Sequence, residues 1–335
     1  MLGEGFILEP DQARALIERD PRNADVLFPY LNGEDLNSRP DCSASRWVIN
    51  FHDWPVERAR EYPNCFAIIE QKVRPERAKN NRKVYRDYWW QYAEKRPAMI
   101  RAIADLDRVL VIALVSKIGL PLWVPNRQVF SHMLGVFATA REGHMASLSS
   151  AQHFVWWTTK GESTLETRLR YTPSDGFETF PQPTLSIEMD EVGAELDSVR
   201  GGVMRERKVG LTALYNLVHD PDVRDADIAR LRELHVSIDR AVRDAYAADE
   251  DREPSIREFE AREASEPLPA WAEIDLDHGF HATRQGMRFT VGPAARDDIL
   301  DKLLALNHYR HTTEPRPTTR RPAKRPRPDP GGALF

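Results

Sequence analysis

Hydrophobic positions along the chain change period about half-way. Trp47, Ile49 and Phe51 alternate with smaller or polar neighbours, the period-two mark of a half-buried strand. Val109–Val115 (VLVIALV) is a continuous apolar run rich in β-branched residues, predicting a buried strand. Lys117–Ile118–Gly119 reads as a turn, PLWVP as a neighbouring strand, and Phe130, Leu134 and Val136 as a third. Around these, Asp11–Arg19 predicts a short helix between Pro10 and Pro21. A longer one over His144–Thr158 carries Met145, Leu148, Ala151 and Val155 at helical spacing. Beyond Pro183 the helical period takes over. Val192, Leu196, Val199 and Val203 share one stripe, Leu211, Leu214, Tyr215 and Val218 begin a second, and Ile228, Leu231, Leu234, Ile238, Val242 and Ala245 form the clearest amphipathic run. FHATRQGMRFTVG predicts a hairpin, and Gly292–Pro293 opens a last helix with Ile299, Leu300, Leu303, Leu304 and Leu306.

The predicted fold class is α+β. A mixed sheet-and-helix domain covers residues 1–183, and a mainly helical domain covers residues 184–310. Residues 249–269, rich in Glu, Arg, Ala and Pro and poor in large apolar side chains, are expected to be a flexible insertion. Residues 311–335, with RPTTRRPAKRPRP, are expected to be a disordered basic tail.

Composition narrows the class without changing it. Of 335 residues, 41% are apolar and 30% charged, as in soluble globular proteins. No apolar run approaches the ~20 residues of a bilayer span, and MLGEGFILEPDQ lacks the features of a signal peptide. Cys42 and Cys65, without CxxC spacing, point to a reducing cytoplasm and away from a cysteine-rich zinc site. The net charge of −5 taken alone disfavours nucleic acid, but binding follows the distribution of charge rather than its sum. That distribution is uneven. Lys72–Arg101 carries ten Lys and Arg against three Asp and Glu, whereas Asp244–Glu266 is acidic.

Lys72–Arg101 (KVRPERAKNNRKVYRDYWWQYAEKRPAMIR) is the segment richest in chemistry. Lys72, Arg74, Arg77, Lys79, Arg82, Lys83 and Arg86 can neutralise phosphates, and Trp89 can pack on sugars or bases. Asn80 and Asn81 offer amides to base edges. The alternative is a solvated surface whose aromatic residues pack on the core, with at least one of Trp89 and Trp90 buried. Further polar candidates are Lys117 and Arg127 at turns, Ser131 and His132 on the strand that follows, and Arg168, Arg170, Tyr171 and Ser174 in LRYTPSD. Each of these can equally be ordinary surface or core; the arginines are favoured because Arg reads guanine bidentately.

Catalytic motifs are missing. An amino-methyltransferase needs a glycine-rich loop for the methyl donor and an Asn/Asp-Pro-Pro-aromatic loop for the target amine, and this sequence has neither. Asp53 with Glu70–Gln71–Lys72 loosely fits a Mg²⁺-dependent nuclease, but the continuation RPERAKNNRK reads as helix rather than strand. His278 and His281 in HGFH lack the further clustered ligands of a metal site.

Four phrases occur in order: FPYLNGEDLNSRPD, LRYTPSDGFETFPQP, LTALYNLVHDP with LRELHVSIDRAV, and DDILDKLLALN. Together they resemble the target-recognition domain and C-terminal region of type IIG and IIL restriction–modification adenine methyltransferases, and related methylases of DISARM-type phage defence. The resemblance covers about Phe6 to His308. It implies that residues 1–183 recognise double-stranded DNA. It also implies that S-adenosylmethionine is bound by a catalytic domain that this sequence lacks, so that the chain acts with a methyltransferase subunit or is a truncated remnant. A protein–protein adaptor built on the helical half and the acidic segment is the remaining alternative.

Overall fold

The computed structural model describes residues 4–160, 164–165, 168–264 and 266–313. The first sheet has the order β1 (Ile7–Leu8), β3 (Arg46–Ile49), β2 (Leu27–Leu31), β7 (Val129–Phe130). The β1–β3 and β2–β3 pairs are antiparallel. β2 and β7 run parallel, with Leu31 opposite Phe130. With α1 (Pro10–Arg19), the one-turn α3 (Val56–Ala59) and α4 (Pro63–Lys72), this sheet encloses a core that includes Phe6, Leu27, Ile49, Phe51, Phe66 and Trp90. β2 stops at Asn32, which caps α2 (Gly33–Ser38). Its Oδ1 accepts from the N–H groups of Glu34 and Asp35 at 2.8 and 3.0 Å, and the Asp35 carboxylate accepts from Asn32 N–H at 3.3 Å. This reciprocal cap satisfies orphan donors of the first turn, so FPYLNGEDL is a strand, a cap and a helix start.

A second sheet has the antiparallel order β6 (Leu122–Pro125), β4 (Arg108–Ala113), β8 (Leu134–Phe137). A third has β5 (Val115–Ser116), β10 (Arg168–Arg170), β9 (Thr164–Leu165). Val109 to Ala113 are all buried, which is why this run shows no polar alternation. The sequence reading of Phe130, Leu134 and Val136 as one strand is corrected. β7 belongs to the first sheet and β8 to the second, and Ser131–Met133 turns between them, Ser131 Oγ accepting from Met133 N–H at 3.2 Å. Period-two patterning cannot show that a chain changes sheets in mid-run.

The expected helix from His144 is two, α8 (Glu142–Ser149) and α9 (Ala151–Lys160), separated by Ser150 in extended conformation. α10 (Pro173–Gly176) is a single turn, and the helical half then follows as α11 (Ile187–Arg207), α12 (Leu211–Val218), α13 (Ala226–Arg252), α14 (Ser255–Glu263) and α15 (Pro293–Thr313), with the hairpin β11 (Gly279–Thr283) and β12 (Gly286–Thr290) before α15. The arrangement is α+β, as the pattern predicted. One apolar cluster runs from Leu31 and Val109 through Trp156 and Leu196 to Leu303 and Tyr309. No helix among the described residues is long and apolar enough to cross a membrane.

α8 and α11 meet at Gly193. A Cβ there would stand 2.3 Å from the Glu142 carbonyl oxygen, which is backbone and cannot swing away. Gly193→Ala is expected to destabilise the fold by ~1–3 kcal/mol through overpacking, seen as a lower urea midpoint at unchanged slope.

The flexible insertion expected over 249–269 is also corrected. α13 continues to Arg252 and α14 occupies Ser255–Glu263. Asp249, Glu250 and Glu260 are buried, the last two on the ammonium of Lys302, itself fully buried on α15. The segment holds its place through these charges together with Ile256 and Phe259, which pack on the apolar cluster. The basic tail lies outside the described residues beyond Thr313; its first three residues continue α15.

The connection between the two halves is tied down along its length. Asn307 Nδ2 donates to the Thr179 carbonyl at 2.6 Å, Tyr246 OH to Pro181 at 3.0 Å and Arg310 Nη1 to Gln182 at 2.7 Å. Thr184 N–H donates to Asp249 Oδ2 at 2.9 Å. These four bonds from α13 and α15 satisfy the backbone of FETFPQPT, where closely spaced prolines preclude a ladder of its own.

Candidate nucleic-acid interface

Where the parallel β2–β7 pair ends, three pieces of chain distant in sequence surround a cleft of about 410 Å³. Phe28, Asn50 and His52 come from the first sheet and its turn, Tyr92 to Ala104 from the strap that carries α7 (Pro97–Ile103), and Asn126 to His132 from the segment around β7. The strap is anchored at both ends. Tyr92 OH donates to the Ile49 carbonyl at 2.8 Å, and Asn126 Nδ2 donates to the carbonyls of Ile103 and Leu106 at 2.5 and 2.9 Å. Arg96, in left-handed conformation (φ 48°), reaches the Ser131 carbonyl at 3.4 Å.

Lys95, Arg96 and Arg127 line this cleft against one carboxylate, Glu94, so its potential favours anions. Arg127 is exposed, with its donors directed to no hydrogen bond or ion pair among the described residues. Gln128 uses its Nε2 on the Pro125 carbonyl at 2.6 Å. His52 packs edge-on to Phe28 with centroids 5.6 Å apart, and burial lowers its pKa below the usual histidine value. A neutral imidazole can both donate and accept at a base edge.

The basic segment breaks into the end of α4, then α5 (Arg74–Ala78), α6 (Lys83–Asp87) and α7. Lys72, Arg74, Lys79, Asn81, Arg82, Lys83 and Arg86 are exposed, and Asn80 is half-buried. Several are already engaged. Arg74 pairs with Glu70 at 2.7 Å, Arg82 donates to Tyr85 OH at 3.1 Å, and Arg86 to the Asn80 carbonyl at 2.5 Å. Lys72 lines a separate groove against α1. Trp90 is core, its Nε1 donating to the Trp54 carbonyl at 2.9 Å; Trp89 is half-buried, packed on Phe66 at 5.4 Å beneath Arg74.

Three of the expected contact residues are corrected. Arg77 is buried, donates to the Gln91 carbonyl at 3.0 Å and lies over the Phe6 and Tyr85 rings, so it braces the segment instead of meeting a phosphate. Ser131 is buried in the β7–β8 turn. Tyr171 is buried among Phe137, His153 and Trp157, its hydroxyl donating to His153 Nε2 at 3.1 Å. The ring leaves no face open to a groove.

Lys117, Arg127, His132, Arg170 and Ser174 are exposed; the side chain of Arg168 lies outside the described residues. Leu114 joins two of these places. Its N–H donates to the Met133 carbonyl at 2.9 Å and its carbonyl accepts from Tyr171 N–H at 2.8 Å. The His132 turn and the Arg170–Ser174 loop therefore flank one strand end. Sequence reading missed Asn50, His52 and Gln128 as members of the cleft, and did not single out Lys95 and Arg96 within the basic segment.

The nuclease triad does not assemble as a strand site. Glu70 and Lys72 lie on α4, with Glu70 committed to Arg74. Among the described residues no group of three or more His, Cys, Asp or Glu is placed to hold a metal ion. His278 bonds Asp239 at 2.9 Å, and His281 bonds the Asp277 carbonyl at 2.8 Å.

The model of the MmeI target recognition domain matches residues 2–184. The chain belongs to the MmeI target-recognition-domain family. This agrees with the resemblance carried by FPYLNGEDL and FETFPQP, both of which fall inside the match. A solved structure of the type IIL restriction–modification enzyme MmeI in complex with DNA is similar in fold, with a TM-score of 0.54 and 20% identity. That likeness covers 72% of this chain, thus running past the family match into the helices, and 31% of MmeI. The chain therefore spans about a third of the length of the enzyme it resembles. No curated protein matches it.

Proposed function

We propose that this chain recognises the sequence of double-stranded DNA on behalf of a restriction–modification methyltransferase. The observation that carries this reading is the cleft of the MmeI target-recognition fold, where Lys95, Arg96 and Arg127 surround the imidazoles of His52 and His132 and the amide oxygen of Gln128. Cations of this kind position a duplex through its phosphates, and the amide and imidazole groups read base edges. Residues 1–183 serve as the reading domain and residues 184–310 brace it. The methyl group, transferred to adenine, comes from S-adenosylmethionine on a catalytic partner in a cytoplasmic phage-defence system. The described residues of this chain do not suit that donor. The two left-handed glycines, Gly119 and Gly286, stand at a turn filled by the Trp157 ring and at a hairpin tip, not in a strand-to-helix loop.

Duplex binding across a salt series tests the reading. With about six phosphates engaged, the log–log slope is expected near −5. Arg127→Ala is expected to weaken a selected site by ~1–3 kcal/mol and random duplex much less, whereas Lys83→Glu lowers both about equally. A flat salt dependence, or equal losses for Arg127→Ala on selected and random DNA, removes the proposal.

A further inference from the structure

A second cavity lies away from the cleft, between α12, α13, the start of α9 and the β11–β12 hairpin, with a mainly apolar wall into which a few polar groups project. It offers about 60 Å³, roughly twice the ~30 Å³ one water occupies in the liquid. His219, His235, His278, Tyr215 and Arg288 line it, and its carboxylate, Asp239, is committed. Asp239 Oδ1 accepts from Ala151 N–H at 2.6 Å and Oδ2 from His278 Nε2 at 2.9 Å.

The remaining donors are out of balance. Arg288 is only 8% exposed; its Nη2 donates to the Lys117 carbonyl at 2.6 Å, and its Nε has no partner. His219 faces two donors, Phe289 N–H at 3.3 Å from its Nδ1 and Arg288 Nη1 at 3.3 Å from its Nε2, and a neutral imidazole accepts from only one of them. In either tautomer two N–H groups face each other with no acceptor between them. Behind Tyr215, the guanidinium of Arg200 is fully buried, with Nε and Nη1 unpartnered. Arg200 reaches the Pro121 carbonyl at 2.8 Å and Arg288 that of Lys117, so both guanidiniums are held by neutral carbonyl oxygens. Burial, then the charge of Arg288, depresses the His219 pKa to about 3, so the ring is neutral and offers one acceptor nitrogen to the two donors that face it. Buried donors without acceptors are costly, and a buried cation facing a second donor is more so.

We propose that this cavity binds one small oxyanion of the phosphate class, held by Arg288 and by His219 Nε2. An anion here receives charge-assisted hydrogen bonds from Arg288, while the Asp239 carboxylate oxygens are already engaged by His278 and the Ala151 N–H. The site is independent of sequence reading in the cleft. Its oxyanion is either inorganic phosphate or a phosphate of the DNA backbone, because Arg288 also fixes the exposed Lys117 turn.

The test is a titration of the full chain with inorganic phosphate against sodium chloride of matched ionic strength. Thermal melting and the ring proton resonances of isotopically labelled histidines are both followed. Saturable phosphate binding is expected to raise the melting temperature and to move the His219 resonance. Arg288→Gln should weaken it by about tenfold or more. His219→Asn places an amide oxygen where Nδ1 stands, which keeps an acceptor for Phe289 N–H while removing the facing donor; this folded variant should also bind phosphate several-fold more weakly. Repeating the titration with saturating duplex separates the sources. Competition assigns the site to a backbone phosphate, and undisturbed binding assigns it to free phosphate. Equal responses to phosphate and chloride, or saturable binding unchanged in both variants, overturns the proposal. Because duplex binding is scored separately by its salt slope, either reading can fail without the other.

Discussion

Lys302→Met is expected to cost the fold about 3–5 kcal/mol, more than the overpacking at Gly193. The ammonium is fully buried and contacts the carboxylates of Glu250 and Glu260, the second at 2.5 Å. Glu250 also accepts from Trp271 N–H at 3.3 Å, beneath the stacked rings of Tyr246 and Trp271, whose centroids lie 4.3 Å apart. Removing the cation leaves two carboxylates facing each other in a dry site. Burial already raises the pKa of Glu260, and without Lys302 its protonated form gains further. The loss should therefore shrink as the pH falls toward 5. Adding Glu250→Gln and Glu260→Gln to Lys302→Met should restore much of the stability, because replacing every charge of a buried network is far milder than replacing one. Urea unfolding of the three proteins measures this; a Lys302→Met midpoint within ~1 kcal/mol of the parent would mean the triad is solvated.

Acid should unfold the chain earlier than its carboxylates alone require. Burial depresses His153 and His235 to about 4 and His219 to about 3, from an ordinary value of 6.5. Below pH 6.5 the unfolded chain takes up protons that the folded chain refuses, so stability falls with pH from there down to the folded-state values. For His153, completely buried between the Leu148 carbonyl and Tyr171 OH, the loss is on the order of 3 kcal/mol. Urea midpoints at pH 7.5, 6 and 5 should fall steadily, with most of the drop below 6.5. Midpoints unchanged from pH 7.5 to 5 would contradict neutral, desolvated rings.

Much of the architecture was legible because local pattern and burial agree. Val109–Ala113 of VLVIALV is a strand because both its faces are covered, whereas Val115 passes to β5 in another sheet; FHATRQGMRFTVG pairs from Gly279 to Thr290, and each apolar stripe after Pro183 became a helix. What pattern could not carry is non-local. The cleft exists because β2 and β7 pair in parallel across about a hundred residues, so Asn50, His52 and Gln128 show no common signal in sequence. Residues 249–269 look solvated by composition, since nothing near them reveals that Lys302 will reach two of their carboxylates. Arg77 and Tyr171 were misplaced for a related reason: a long or aromatic side chain with a polar end can bury its body and satisfy its tip internally, and residue type alone does not say which.

The bonds that tie Thr179, Pro181, Gln182 and Thr184 to α13 and α15 bear on how recognition specificity could be exchanged between relatives. A chimera joined at Pro183 would inherit a strip of backbone whose carbonyls expect Asn307, Tyr246 and Arg310 at fixed positions, together with half of an apolar cluster. The transferable part is therefore the sheets with their C-terminal helices. Exchange within a cassette is better confined to exposed side chains such as Arg127 and His132, whose replacement leaves that seam untouched.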